Sequence, residues 1–565
     1  MTLKKDNQIR VYIKFLFNYF VSIAIKIAIK ITISIVVATS IVGFIFSNAF
    51  ALSISKEREI AVEFMEAIER QDKIIKDSMA LALVSEIGEQ IVKVLPPQPF
   101  KYSFYVVNEE QFNAFAGPGS NIFVHRGLIT SLDNVDELAG IIGHEIAHSS
   151  CRHISEMVDQ SKIMTIGTLA GVLAGVLLGA AGGSGGVRGG GDLGQAVLIG
   201  SVAATQTAML SYSREHETEA DQKGLVYLTK AGFDPNGLLT GLKKIRSRDW
   251  FGSEIIPDYL KTHPGSTERI VQIQSWIEGR GKNEVLNGKT QAANQKNSTK
   301  IGIDKAGGTI DSNKSTIDPF RFEMVKYRLT ALYGDEDEAQ KLFNSILQKE
   351  PDSTSANYGM ALLMERKSRF DESMKHLRKA LDSRAFDPNI LLEMGKINTL
   401  LGKPQKAVEI MQGLEFIPEV KVEALFYLSE AKLMAGMVDS AEKGFEQVIA
   451  KSPQFFPKAY YHLAAINGDG INRDGELRVS GGYNNDGKVD KSRYSQDRID
   501  RAGVSHYYLG LYYYEIKNIK SAKTHLLKSL ETLSDDDKKK HAQVMLMKIE
   551  MRELDAKMES RRRRR

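Results

Sequence analysis

A recurring spacing of apolar residues and proline constrains the fold of this 565-residue chain most strongly. Three apolar residues and a proline follow one another at steps of four, three and five residues, starting at Ala339. The same steps recur from Ala441. A third copy begins at Ala407 with one residue fewer, and part of a fourth lies within 508–526. Steps of three and four residues are typical of one helix face, and proline ends a helix. Unrelated antiparallel helices would not keep these offsets, so each copy predicts one helical hairpin of a stacked array.

The copies resemble tetratricopeptide repeats, in which small residues let the two helices of a unit approach each other. The resemblance implies an all-α superhelical domain over 319–555 that holds partner proteins, with an inserted loop at about 467–500. Residues 281–318 are polar and lack apolar periodicity, so they predict a linker. Residues 556–565 end in five arginines and predict a solvated basic tail, with contact to anionic lipid or an acidic partner as the alternative.

The N-terminal 51 residues predict export. Residues 31–51 carry no charge and end in Ala49-Phe50-Ala51, small residues at the positions that signal peptidase reads. Cleavage there would leave a chain that starts at Leu52. The uncharged segment is also long enough to span a bilayer, so an uncleaved N-terminal membrane anchor is the alternative. Both outcomes export the rest of the chain.

The formal net charge of +5 arises in this N-terminal segment, which holds six Lys and Arg and one Asp. The remainder is neutral overall, so the sequence offers no case for nucleic-acid binding. The single cysteine, Cys151, excludes an internal disulfide framework.

Residues 139–153, AGIIGHEIAHSSCRH, place a glutamate between two histidines. On a helix, His144 and His148 lie one turn apart on one face, where two imidazoles can bind one Zn²⁺ beside Glu145 as a general base. The alternative is an amphipathic helix with two surface histidines.

The surrounding patterns predict an α+β arrangement. Apolar residues at helical steps predict one long helix over 56–95, and 101–109 predict a strand. Residues 111–129 predict a hairpin that turns at Gly117-Pro118-Gly119, and the histidine pentad lies in a predicted helix over 136–160. A strand edge near the metal could hold an extended peptide.

The acidic segment SYSREHETEAD, at 211–221, supplies candidates for a third ligand. Its acids are Glu215, Glu217, Glu219 and Asp221. Glu217 and Asp221 face one way on a helix, so one can bind the metal while the other accepts the N–H of a ligand histidine. A charged solvent face has the same spacing, so these residues alone leave the choice open.

Three segments together resemble the M48 family of zinc metallopeptidases. They are NAFAGPGSNIFVHRGLI, in which Ser120 stands at the last glycine of the family pattern, then HEIAHSSCRH and SREHETEAD. The resemblance implies a zincin-like domain over 52–280 that binds one zinc ion per chain. The implied ligands are His144, His148 and Glu217. It further implies Glu145 as the base and Asp221 behind a ligand histidine, and three protein ligands leave a fourth position open for water.

His263 lies in a Thr-His-Pro sequence. The residues alone predict a surface histidine in a turn, or one that supports a ligand. M48 relatives that resemble this chain carry the same tripeptide, and the resemblance implies that His263 can reach the zinc. It would then fill the open position and keep the enzyme latent until substrate or partner binding pulls it away.

A Gly-rich insert separates the two metal-binding segments. Glycines recur every fourth residue from Gly167 to Gly183, which produces one smooth helix face. The pattern predicts an αα-hairpin over 163–210 that is buried, covers the zinc cleft or contacts a membrane.

A peptidase domain followed by such repeats resembles quality-control peptidases of the Gram-negative cell envelope. The resemblance implies a periplasmic enzyme, or one anchored in the inner membrane and facing the periplasm. Its substrates would be unfolded or misassembled outer-membrane proteins, and the repeats would contact the outer-membrane assembly machinery. The alternative is a chaperone or assembly scaffold in which proteolysis is secondary.

Overall fold

The structure is a computed structural model. It describes residues 52–160, 212–250, 259, 262–264, 267–279, 317–468 and 496–563. The predicted signal or anchor at 1–51, the Gly-rich hairpin at 163–210, most of the linker at 281–318 and most of the loop at 467–500 lie outside the described residues. Within the described ranges, every helix is too short or too polar to cross a bilayer.

The N-terminal part, as described up to residue 279, combines helices with one small sheet. Its helices are α1 (Ile54–Arg70), α2 (Ser78–Val92), α3 (Arg126–Ser131), α4 (Val135–Ser150), α5 (His153–Gln160), α6 (Arg214–Ala231), α7 (Asn236–Trp250) and α8 (267–279). Its strands are β1 (Ile74–Ile75), β2 (Ser103–Val107), β3 (Ala114–Gly117) and β4 (Asn121–His125).

The described strands form one sheet in the order β1-β2-β4-β3. Strands β2 and β4 are parallel, whereas β3 pairs antiparallel with β4 as the predicted hairpin. The hairpin turns through Gly119 and Ser120, whose φ angles of 73° and 60° are left-handed. A Cβ on Gly119 would lie 2.7 Å from the Cβ of Ala61, so this position requires glycine. Strand β3 is therefore an edge of the described sheet.

The prediction of one helix over 56–95 was wrong. The chain leaves the helix after Arg70, passes Asp72 at a φ of 51°, adds the short strand β1 and starts again at Ser78. The Asp77 side chain caps the new helix by accepting a hydrogen bond from the Ala80 N–H at 2.9 Å. Apolar steps continue across this break, so periodicity alone does not reveal it.

The prediction of one helix over 136–160 was also wrong at its C-terminal end. Helix α4 ends at Ser150, and Arg152 has a φ of 60°. Helix α5 then starts at His153. The break turns the chain back toward the face of α4 that carries the histidine pentad.

Helix α4 packs between α6 and α7 in the centre of the N-terminal part. A Cβ on Gly140 would lie 2.5 Å from the backbone nitrogen of Leu238, so α7 can approach α4 only at a glycine. Gly224 of α6 faces the backbone of Gly143 in a similar way. This close packing brings the acidic segment of α6 against the two histidines of α4.

The C-terminal part is all-α among its described residues, which confirms the predicted fold class. Its helices are α9 (Pro319–Tyr333), α10 (Glu336–Lys349), α11 (Thr354–Arg366), α12 (Phe370–Ser383), α13 (Pro388–Leu400), α14 (Pro404–Met411), α15 (Lys421–Met434), α16 (Val438–Lys451), α17 (Lys458–Asn467), α18 (Gln496–Glu515), α19 (Ile519–Thr532) and α20 (Asp536–Arg563). Successive helices pack as hairpins, and buried Ala339, Phe343, Ala441 and Phe445 occupy the repeated positions. Helix α20 continues to Arg563, into the segment predicted as a basic tail.

Arg328, on α9, joins the two parts through a buried network. Its guanidinium donates to Asp77 at 2.6 Å, to the Tyr358 hydroxyl at 2.7 Å and to Glu393 at 2.6 Å. Glu423 lies 3.6 Å away. Asp77 caps α2 in the N-terminal part, whereas the other partners lie on α11, α13 and α15. One arginine therefore connects helices from both parts of the chain.

Candidate metal centre

The histidine pentad lies on a buried helix. Asn134 caps α4 by accepting a hydrogen bond from the Glu137 N–H at 2.9 Å. His144, Glu145 and His148 are completely buried among the described residues. The alternative of two surface histidines was therefore wrong.

Four side chains converge on one point. They are His144, His148, Glu217 and His263, and their ligand atoms all lie within 4.8 Å of one another. The Nε2 atoms of His144 and His148 are 3.0 Å apart, and Glu217 Oε1 lies 3.3 Å from His148 Nε2. His263 Nδ1 lies 2.9 Å from Glu217 Oε1 and 3.4 Å from His144 Nε2. Zinc bonds of about 2.0–2.1 Å in a tetrahedron place their donor atoms about 3.3 Å apart, so the donor set fits one such ion.

Asp221 and Arg269 orient the first of these histidines. Asp221 Oδ1 lies 2.9 Å from His144 Nδ1, which directs the Nε2 lone pair of that ring toward the cluster. Arg269 donates two hydrogen bonds to Asp221, at 2.7 and 2.8 Å, and also contacts Glu217. All three side chains are buried. Sequence reasoning missed Arg269, which α8 contributes five residues after Pro264.

His153 supports the second histidine. Its Nδ1 lies 2.9 Å from His148 Nδ1, and its Nε2 lies 3.0 Å from Glu219 Oε2. Glu219 in turn pairs with Lys223 at 2.8 Å. Sequence reasoning missed this role, although the Arg-His that follows the pentad belongs to the quoted segment. The chain of contacts runs from a candidate ligand to the protein surface.

A second group of donors, Cys151, His153 and Glu219, lies beside this chain of contacts within 4.8 Å. If His148 binds a metal through Nε2, its Nδ1 carries a proton and donates it to His153. The Nε2 atom of His153 then carries the other proton and donates to Glu219, so it has no lone pair for a second metal. Lys223 Nζ, 3.3 Å from Cys151 Sγ, adds a positive charge there.

Glu145 is held between the cluster and the sheet. Its Oε2 accepts a hydrogen bond from the Ala116 N–H of β3 at 3.0 Å. Its Oε1 faces His263 Nε2 at 3.6 Å, and neither atom has a hydrogen-bond partner among the described residues. Burial raises the pKa of the Glu145 carboxyl. A carboxylate so placed can exchange protons with a group bound between the cluster and β3.

The electrostatics of the cluster favour positive charge at its centre. Burial raises the pKa of Glu217, but His263 and Arg269 outweigh burial and hold it well below the usual range. Burial and Arg269 lower the pKa of His144, yet hydrogen bonds to Asp221 and Glu217 raise it to about 9. His148 is the exception, because burial keeps its pKa well below the usual value and so disfavours a proton on this ring. A divalent cation bound among the four donors would supply this positive charge.

Comparisons with known proteins agree with this geometry. Residues 80–277 match the family model of peptidase family M48, and residues 423–454 match a tetratricopeptide repeat model. The beta-barrel assembly-enhancing protease of Escherichia coli is 24% identical over 392 residues, which cover 65% of this chain and 74% of that protein. The same-named protein of Yersinia pestis is 26% identical over 312 residues, 53% of this chain and 61% of that protein. A mitochondrial metalloendopeptidase of Schizosaccharomyces pombe is 29% identical over 195 residues, 34% of this chain and 52% of that protein.

The family match spans the pentad, the acidic segment and His263, and the buried donors form a site that a metal ion fits. The chain therefore carries a peptidase family M48 domain, which makes it a metallopeptidase, together with a tetratricopeptide repeat region.

Proposed function

We propose that this chain is an exported zinc endopeptidase that degrades misfolded or misassembled proteins, above all outer-membrane proteins, in the Gram-negative cell envelope. The observation that carries the proposal is the buried four-donor cluster with Glu145 between it and an edge strand. The names of the bacterial relatives supply the link to β-barrel assembly. On this proposal the N-terminal segment is the export signal or an inner-membrane anchor, and the location is the periplasm.

His144, His148 and Glu217 hold the metal, and Asp221 orients His144 for that role. Zinc, when bound, supplies the Lewis acid that polarises a peptide carbonyl and acidifies water. Glu145 accepts the proton of the attacking water and then donates it to the leaving amine. The Ala116 N–H keeps the Glu145 carboxylate oriented during both transfers.

Strand β3 is the proposed substrate platform. It is an edge of the described sheet, and the Ala116 N–H points toward Glu145 rather than toward β4. All four residues of β3 are buried in the structure, so an extended peptide that pairs with this edge would first have to displace what covers it and would then lie beside the general base.

His263 is the proposed latch of the resting enzyme. Its Nδ1 lies within the donor cluster, where it would take the fourth metal position in place of water. Its ring stacks on Tyr259 with 4.3 Å between centroids, and the neighbouring Thr262 carbonyl accepts the Tyr212 N–H at 3.0 Å. Substrate or partner binding would have to displace this short segment before catalysis.

The repeats are the proposed scaffold for substrate or for the outer-membrane assembly machinery. A chaperone or scaffold with secondary proteolysis is the second candidate, because the repeat region is as large as the peptidase domain. Both candidate functions retain the metal centre, so a variant of the general base Glu145 is needed to distinguish them.

The test uses Glu145→Gln in the full chain with an unfolded protein as substrate. We expect the variant to retain one zinc per chain and to lose cleavage, because the amide cannot accept the proton of water. Full cleavage at full zinc content would disprove the assignment of Glu145. Restoration of outer-membrane protein assembly by Glu145→Gln in cells that lack the wild-type protein would favour the scaffold.

A further inference from the structure

Arg152 has a backbone conformation that is unusual for its residue type. Its φ of 60° lies in the left-handed region, which residues other than glycine adopt rarely because Cβ approaches the following carbonyl oxygen. Helix α4 ends just before this residue, and α5 starts just after it at His153. Unusual backbone conformations persist only where the surrounding structure holds them. The contacts of the Arg152 side chain therefore identify what holds this break.

The start of α1 supplies those contacts. Arg152 Nη2 donates to the Leu52 carbonyl and to the Glu57 carboxylate, both at 2.7 Å. Glu57 is only 6% exposed, so solvent ions screen this ion pair little. The other carboxylate oxygen of Glu57 accepts the Gly119 N–H of the β3–β4 turn at 3.4 Å. The guanidinium of Arg152 therefore joins the end of α4 to the first residues of α1 and, through Glu57, to the sheet.

Apolar packing connects the same elements. Leu52 is buried in a cluster that also contains Tyr212 and two residues of α5. The Tyr212 ring stacks on the His148 ring with 3.8 Å between centroids. The start of α1 is thus connected to His148 by two routes. One runs through Arg152 and His153, and the other runs through the packing around Tyr212.

We propose that Arg152 is a positioning residue of the metal centre, held in place by Leu52 and Glu57. The inference rests on the proposed role of His148 as a metal ligand. Arg152 fixes the break, and the break places His153 Nδ1 2.9 Å from His148 Nδ1, where it can orient the ligand ring. Without the anchor, the chain can relax toward a continuous helix, in which His153 faces away from His148.

Competition with a chromophoric chelator measures the zinc affinity of the full chain and tests the proposal. Arg152→Ala should weaken zinc binding about tenfold, the lower end of the usual effect of losing the support of a ligand. Arg152→Lys should recover most of this affinity, because its ammonium can still donate to the start of α1. Arg126→Ala is the matched control, since this arginine contacts Asn108 at 3.0 Å and Glu110 at 3.6 Å beyond the other end of β4. Its zinc affinity should equal that of the wild type.

A double variant shows whether Arg152 acts through His153. His153→Phe alone removes the support, so the addition of Arg152→Ala should weaken zinc binding by no more than about twofold further. A residue that only stabilises the fold would weaken binding about tenfold in both backgrounds. Unchanged zinc affinity in Arg152→Ala, or an equal loss in the two backgrounds, would overturn the proposal.

Glu57→Gln provides the same test if Arg152→Ala does not fold. The amide keeps the shape of the side chain and removes its charge, so zinc affinity should fall about threefold in the wild-type background and stay constant in the His153→Phe background. An unchanged affinity in the wild-type background would contradict the proposal.

His148→Ala separates this proposal from the proposed function. If His148→Ala binds zinc as tightly as the wild type, the ligand assignment fails, and the role of Arg152 fails with it. If His148→Ala loses zinc while Arg152→Ala retains full affinity, the ligand assignment stands and only the role of Arg152 is wrong.

Discussion

The Nδ1 atoms of His148 and His153 lie 2.9 Å apart, so one ring must donate its proton to the other. A metal on His148 Nε2 decides the direction, because the remaining proton of that ring then resides on Nδ1. His153 accepts this hydrogen bond at its Nδ1 and donates its own Nε2–H to Glu219 at 3.0 Å. A hydrogen-bond chain of this kind fixes the orientation of a ligand and raises its basicity.

We expect His153→Phe to lower zinc affinity about 10- to 100-fold, which is the usual effect of losing such a support. Competition with a chromophoric chelator at fixed pH measures the change without relying on activity. His153→Gln should recover part of the affinity, since its amide oxygen can accept from His148. His216→Phe is the control, because His216 stacks on His153 at 4.2 Å and bonds Glu156 instead of a ligand. Equal affinity in wild type and His153→Phe would show that His153 only fills space.

We expect His263→Ala to raise basal cleavage of an unfolded protein several-fold, because the fourth metal position becomes open to water. The rate of casein hydrolysis at equal zinc content is the measurement. Tyr259→Phe keeps the ring that stacks on His263 and removes a buried hydroxyl, so its basal rate should match wild type. A slower His263→Ala enzyme with full zinc content would instead identify His263 as a supporting residue.

Removal of the Arg328 side chain should destabilise both parts of the chain together. Arg328→Met leaves the buried carboxylate of Asp77 without its cation and leaves Glu393 with Lys396 as its remaining partner, a loss of about 3–5 kcal/mol in comparable buried networks. Urea unfolding followed by far-UV circular dichroism should show an earlier transition. Arg369→Met is a suitable control, since among the described residues this exposed arginine pairs only with Glu372 three residues away. Unchanged unfolding of Arg328→Met would mean that the network contributes nothing net.

The stability of the C-terminal part should fall as the pH drops below 6.5. Burial, His525 and Lys528 lower the pKa of His506 to about 3, and burial lowers that of His525 to about 4. The unfolded chain binds protons on both rings below about 6.5 while the folded chain does not, so protons favour unfolding as pH falls. For His506 alone the loss between pH 7.5 and pH 5 is about 2 kcal/mol.

Thermal unfolding at the two pH values provides the measurement. The double variant His506→Gln, His525→Gln should lose less stability at pH 5 than wild type, because neither position can then bind a proton. His462→Gln is the matched control, since His462 has the carboxylate of Glu430 at 2.8 Å. The same pH response in wild type and the double variant would exclude His506 and His525 as the source of the pH dependence of stability.

Much of the candidate metal centre could be predicted because its spacing is local. His144 and His148 share a helix face by their four-residue separation, and the structure places both in one buried cluster. Glu217 could not be selected from its acidic neighbours by spacing, since Glu217 and Asp221 share one face. The resemblance to the M48 family supplied that choice, and the packing of α6 on α4 places Glu217 in the buried donor cluster.

Two supporting residues, His153 and Arg269, could not be predicted because their contacts depend on a helix break and on a long-range approach of the chain. On a continuous helix, His153 would point about 140° away from His148. The left-handed Arg152 ends that helix and returns His153 to His148. Arg269 reaches Asp221 from 48 residues away along the chain. Helical periodicity predicts neither the break at Arg152 nor the contact of Arg269 with Asp221.

If β3 holds the substrate as proposed, its position at the edge of the described sheet has a consequence for how clients are chosen. A peptide that adds to a strand edge is recognised through its main chain, which nearly every sequence offers. What differs among clients is how long such a segment stays exposed, and when opening is fast relative to cleavage the rate follows the population of the open form. A protein that completes its fold quickly escapes, whereas one that stalls is cut. On this view the folding rate of each client determines whether the enzyme cleaves it. The selectivity then comes from the folding kinetics of the client and does not require recognition of particular side chains.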